Sequence, residues 1–121
     1  MLRSIHESFS WFVIIGNALA GSWALAANWI QPLRTRALWW FIVIVELSIF
    51  VQVGIGVAMV AGQGIKAPQF HMFYGFVAII VVGLIYSYRH QMSQKKYLLY
   101  GLGGLFLMGL GIRAMLVGNV S

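Results

Sequence analysis

Cysteine is absent from this chain of 121 residues, so it forms no disulfide, offers no thiolate and holds no iron–sulfur cluster. Acid is almost as scarce, since Glu7 and Glu46 are its only acidic residues. Charged residues make up 8% of the chain, against about 25% for a soluble domain, too few to cover a surface facing water. Proline occurs twice, at Pro32 and Pro68, so long helices can run without interruption. Strict alternation of apolar and polar residues is missing, which argues against a transmembrane barrel. No catalytic triad, Walker loop, zinc-ligand spacing or dinucleotide fingerprint is present.

What remains is apolar: hydrophobic residues make up 61% of the chain and the mean hydropathy is +0.88. Backbone polar groups must be satisfied inside lipid, and about 20 apolar residues cross a bilayer as a helix. The sequence therefore predicts an all-α integral membrane protein: one domain, a four-helix transmembrane bundle running up-down-up-down. The net charge of +6 does not point to nucleic acid, because the cations sit at helix ends, where they set topology.

The predicted spans are about 7–29, 37–61, 68–88 and 97–117. An Ala18-Leu19-Ala20 triplet imitates a signal-peptidase site. Apolar character continues past it to Trp29 and Ile30, so a retained helix is expected. Pro32 is expected to stop the first helix and Pro68 to open the third. Turns are expected at Gln31–Arg36, Gln63–Ala67 and Arg89–Lys96, with a short tail at Asn119–Ser121. Two stripes of small residues, Gly16/Ala20/Ala24 and Gly54/Ala58/Gly62, recur every four residues and predict close helix packing. The fourth span is dense in glycine. Trp11, Trp29, Tyr86 and Tyr88 fit interfacial positions, as does the pair Trp39-Trp40.

Arg34, Arg36, Arg89, Lys95 and Lys96 occupy the first and third turns, whereas Arg3 and Lys66 lie at the other side. The positive-inside rule then places both termini and the second turn on the outer side. His6 and His71, which open the first and third helices, come to similar depth near that outer face. A weak echo links Gly54–Gly62 with Gly109–Gly118, one residue longer, each at the end of a helix whose preceding partner starts with histidine. A duplicated hairpin would explain it, and so would chance in a chain rich in glycine and valine.

The stretch from Glu46 to Gly75 carries most of the polar residues that an apolar helix does not need. Helix bundles build cofactor sites from side chains on facing helices, and two histidines can serve as axial ligands of one heme. Ser10 and Gly75, one helical turn after His6 and His71, would clear the surface beneath each ring. The plainer reading keeps both histidines at the headgroup level. Arg113 lies about 8 Å deep, a partner for a heme propionate or an acidic headgroup, or a side chain that snorkels to the surface. Glu46 lies deeper, as an interhelical contact or a proton relay. Gln52 is expected to hydrogen-bond between helices. Glu7 could orient His6 or sit in water, and His90 reads as a solvated turn residue.

His6, the arginine-containing turn, Gln52-Val53-Gly54-Ile55-Gly56 and His71 together resemble one four-helix half of a heme A synthase. In that family a Q-x-x-x-G pattern ends one helix and a histidine opens the next, as Gln52, Gly56 and His71 do here. The likeness spans about residues 5–88. It departs from the family at Glu7, where arginine usually follows the first histidine, and in having one half instead of two. The resemblance implies a heme b with His6 and His71 as ligands near the outer face, and does not imply heme A synthesis.

Three functions follow as expectations. The first is a small membrane heme b protein for electron transfer or heme handling, in a respiratory or photosynthetic complex of a bacterial plasma membrane, with Arg113 toward a propionate and Gln52, Gly75 and Ser10 around the ligands. The second is a non-catalytic accessory subunit that binds lipid or pigment, one variant having a histidine on a chlorophyll magnesium. The third is a small transporter lined by Glu46 and Gln52. Expected partners are the lipid bilayer and partner subunits or further copies of the chain, not nucleic acid. Whether the chain is an enzyme is left open by the sequence.

Overall fold

A computed structural model describes residues 2–64 and 66–118, with the side chain of Gln63 left aside. The tail Asn119–Ser121 and Ile65 of the second turn lie outside the described residues. Four helices make up the fold: α1 (Leu2–Ala27), α2 (Arg36–Gln63), α3 (Gln69–Ser87) and α4 (Lys96–Gly118), with 3₁₀ turns at Gln31–Leu33 and Ser93–Lys95. Among the described residues there is no strand. All four helices are long and apolar enough to cross a membrane, which marks the chain as a multi-pass membrane protein.

Helix ends follow local chemistry more than the two prolines. α1 stops at Ala27, five residues before Pro32, so Pro32 is not what ends it. The Arg34 side chain folds back instead, donating to the carbonyls of Ala27 (2.7 Å) and Asn28 (2.8 Å), which have lost their helical partners. At its other end α1 begins five residues earlier than the apolar run, carried by the Arg3–Glu7 pair one turn apart. Thr35 caps α2 by accepting from the Leu38 amide. α2 ends on Gly64, whose φ of 65° is open to glycine at no steric cost, and the Gly64 amide returns to the Met59 carbonyl. Pro68 stands at the N-cap of α3, one position before the helix proper.

Around the bundle, sequence neighbours pack on one another and α4 closes back on α1. The α1–α4 seam is the most intimate and the α2–α3 seam the loosest of the four. Glycines set the first of these. A methyl group on Gly21 would stand 2.7 Å from the Leu105 amide nitrogen, one on Gly104 2.9 Å from Gly21 Cα, and one on Gly101 2.7 Å from the Leu25 nitrogen. The two backbones are in contact, which side chains at these positions would forbid. The predicted Gly16/Ala20/Ala24 stripe is buried and faces α2, with Ala20, Ala24 and Ala27 on Leu38, Ile42 and Val45. The second predicted stripe behaves differently: Gly54, Ala58 and Gly62 are exposed, and no atom lies within 4 Å of a methyl placed on either glycine. It points away from the α1 contact face of α2, and none of the described residues packs on its glycines.

Large apolar side chains cover the outside, including Phe70, Phe73, Phe76 and Ile80 along α3. Patches of that size on a soluble monomer would drive association, whereas in a bilayer they face acyl chains. Trp29, Trp11 and Trp40 are exposed, as interfacial anchors are. Trp39 departs from that expectation. It turns inward, half-buried against Tyr97 and Tyr100 at ring-centre distances of 5.4 and 5.1 Å, because α4 brings an aromatic surface to that end of α2.

Gly104→Ala should destabilise the bundle by about 1–3 kcal/mol, the usual cost of overpacking a close contact. Gly62→Ala, at an open position, should stay within about 0.5 kcal/mol of the parent chain. Thermal unfolding of both variants in the same detergent tests the pair.

Candidate functional site

His6, in the second turn of α1, and His71, in the first turn of α3, meet at one end of the bundle with ring centres 5.9 Å apart. Each ring lies against the final turns of the helix that follows its own. Glycine makes both approaches possible. A methyl on Gly118 would stand 2.7 Å from His71 Nδ1 and 3.1 Å from its Cε1, and one on Gly56 would stand 3.2 Å from His6 Cε1. The rings occupy the notches where those side chains would be.

The two notches differ in polar contact. His71 Nδ1 lies 2.7 Å from the Ala114 carbonyl, one turn before Gly118. A carbonyl can only accept, so Nδ1 carries a proton there, and in the neutral ring Nε2 is left with its lone pair. At the other notch, Gln52 occupies the position one turn before Gly56. Its side-chain amide donates to the backbone carbonyl of His6 at 2.7 Å, which fixes the α1 backbone and not the ring. His6 Nδ1 and Gln52 Oε1 are both buried and without a hydrogen-bond partner among the described residues. The histidines precede Gln52 and Ala114 by 46 and 43 residues, so each hairpin returns a helix end to the ring at its own start.

The other predicted residues take varied places. Gly75 is half-buried, and a methyl there would meet only Val53 Cγ2, at 3.9 Å, so the surface one turn below His71 is open toward α2. Ser10, half-buried one turn below His6, turns its hydroxyl to the Glu7 carbonyl. Arg113 is exposed at the histidine end, its guanidinium 6.0 Å from the Tyr74 ring centre. Glu7 is exposed and pairs with Arg3 at 3.3 Å, so it sits toward water and does not orient His6. Glu46 is half-buried on α2, with no ion-pair partner among the described residues. His90 is exposed in the third turn.

Sequence reasoning missed three features here. The anchoring role of the Ala114 carbonyl has no side-chain signature at all. Gly118 was visible within the echo of glycines, but the echo aligned it with Gly62, and the structure gives Gly118 and Gly56 the matching roles. Asn17 was passed over as part of an apolar run. It is 2% exposed in the middle of α1, donates to the Val13 carbonyl at 2.8 Å, and lies beside Gly104 at the close crossing.

Two histidines are too few to hold a bare metal ion by the usual protein donor sets, and no cluster of three or more metal-binding side chains occurs among the described residues. Two are enough where a macrocycle supplies the remaining donors. With about 2 Å from nitrogen to metal and about 1 Å from nitrogen to ring centre, imidazoles across one metal stand roughly 6 Å apart. The observed 5.9 Å is close to that spacing and is also that of an ordinary edge-to-face ring contact, the planes standing at 73°. The His71 arrangement also matches a metal-ligating histidine, which donates its second ring N–H to a carbonyl or carboxylate. A pair of imidazoles is the donor set that a bis-histidine heme would use. Comparison of the chain with protein-family models, curated proteins and solved structures gives no match.

Gly118→Ala should displace the His71 ring and break its bond to Ala114, at a cost of about 1 kcal/mol for the bond alone. Gly56→Ala meets a wider notch and a ring with no such bond, so its cost should be smaller. Melting temperatures of the two variants, measured side by side in detergent, test the order.

Proposed function

We propose that the chain is a small membrane heme b protein, with His6 and His71 as the axial ligands, acting in electron transfer or heme handling. The observation that carries this reading is the pairing of the two rings at 5.9 Å with the Nδ1 proton of His71 already committed to a carbonyl. Bound there, a heme supplies one-electron redox chemistry. The chain's own residues hold the two imidazoles in place: Gln52 pins the α1 backbone at His6, and Ala114 and Gly118 fix the ring of His71. Gly75 and Ser10 leave room beneath the rings, and Arg113 at the same end offers a cation to a propionate. The likeness of His6, Gln52–Gly56 and His71 to one half of a heme A synthase supports the same assignment.

The proposed setting is a bacterial plasma membrane, with the bundle running up-down-up-down and both termini outside. Support comes from Arg34, Arg36, Arg89, Lys95 and Lys96 in the first and third turns, since cations of that density are retained in the cytoplasm. The absence of cysteine makes this directly testable. A cysteine at Ser4 should react with a membrane-impermeant maleimide added to intact cells, and one at Ser93 only after permeabilisation. The reverse pattern overturns the orientation.

A second reading, an accessory subunit of a larger complex, is favoured by one observation. The Gly54/Ala58/Gly62 face of α2 is exposed and unpartnered, the kind of surface a neighbouring helix could approach. An optical spectrum of the detergent-purified chain, expressed with heme supplied, separates the two. The heme reading expects split α and β bands on reduction, absent from the double variant His6→Ala/His71→Ala. A colourless parent chain overturns it and leaves the accessory reading standing.

A further inference from the structure

The two histidines are set in matching notches, yet they are not held alike. His71 donates Nδ1–H to the Ala114 carbonyl at 2.7 Å, and its ring is clasped closely enough that a methyl on Gly118 would meet three of its atoms within 3.4 Å. Donation from Nδ1 raises the basicity of Nε2 and fixes the ring's orientation. His6 has neither advantage. Its Nδ1 is buried with no partner among the described residues, and only its Cε1 comes within 3.4 Å of a methyl on Gly56. Gln52 holds the His6 backbone carbonyl through its side-chain amide, so rotation of the ring leaves that hydrogen bond intact.

We infer that His6 and His71 are unequal ligands: His71 is the permanent one, and His6 gives up its place to a small neutral donor such as a diatomic gas or free imidazole. This rests on the heme reading. The exchange moves no electrons between oxidation states. The imidazole of His6 leaves with its lone pair, and the incoming molecule supplies another. Release of His71 would in addition break its bond to Ala114, so exchange takes place on the α1 side. The site then does more than relay an electron, since its iron can take up or report an external ligand while the bundle stays assembled.

Three measurements on the purified chain test this. Carbon monoxide added to the reduced parent protein should form an adduct, seen as a shifted Soret band. His6→Ala should keep its heme, change to a five-coordinate high-spin spectrum, and return to a low-spin spectrum on addition of imidazole. His71→Ala should bind heme roughly tenfold to a hundredfold more weakly than His6→Ala, the range expected when an oriented ligand and its supporting contact are lost together. A heme-loaded parent that ignores carbon monoxide, or two variants that lose heme equally, overturns the inequality and leaves the bis-histidine reading intact. A parent chain that binds no heme overturns both.

Discussion

The backbones of α1 and α4 touch, and the arrangement of the histidine end follows from that contact. Gly21, Gly101 and Gly104 let the two helices approach until amide and Cα atoms are neighbours. In a bilayer there is no hydrophobic force to press helices together, so van der Waals contact of this kind is what selects partners. Once α1 and α4 are fixed, α2 and α3 have only the outer flanks of that pair to occupy. α2 takes the alanine face of α1 and α3 packs along α4. Their own mutual seam is left loose, and this difference between seams separates the fold from a symmetric duplication. Two equivalent hairpins would make α3–α2 resemble α1–α4, and they do not resemble one another.

Within that unequal frame the histidine notches are nonetheless related. Each hairpin starts with a histidine and ends with a glycine that admits the ring to the wall of its second helix. Such a wall offers backbone carbonyls, and a ring pressed on it can satisfy one nitrogen there. Two glycines and two hairpin lengths thus bring two imidazoles together edge to face, at 73° between their planes. Only one of the two rings completes the arrangement with a hydrogen bond.

How much of this was legible in the sequence depends on the kind of signal each feature leaves. The four helices were readable because a membrane span is a property of composition over about 20 residues, insensitive to detail. The approach of His6 to His71 was readable from topology, since both open helices that start on one side. Helix ends were less so. Pro32 looked like the stop for α1, but the stop is made by Arg34 reaching back to Ala27, and a long side chain leaves no mark of where it will fold. The small-residue stripes gave one correct interface and one open face, because periodicity shows that a face can be approached and says nothing of which helix approaches it. Ala114 was illegible for a deeper reason: its contribution is a carbonyl, which every residue has.

Polar residues in an apolar chain divide here by whether the bundle answers them. Asn17 and Ser48 are buried and satisfied by carbonyls within their own helix, so they make no demand on a partner. Arg34 is consumed by the end of α1, and Glu7 by Arg3. Two buried groups are without a hydrogen-bond partner among the described residues: Nδ1 of His6 and the amide oxygen of Gln52. Both belong to one corner of the site, next to a His71 ring that is itself committed on its Nδ1 side. A buried polar atom without a partner costs about 1–3 kcal/mol, which a marginally stable fold does not keep at random. That the unmet groups gather around one histidine, and not along the outer faces, is what turns the apolar bundle into a candidate binding protein.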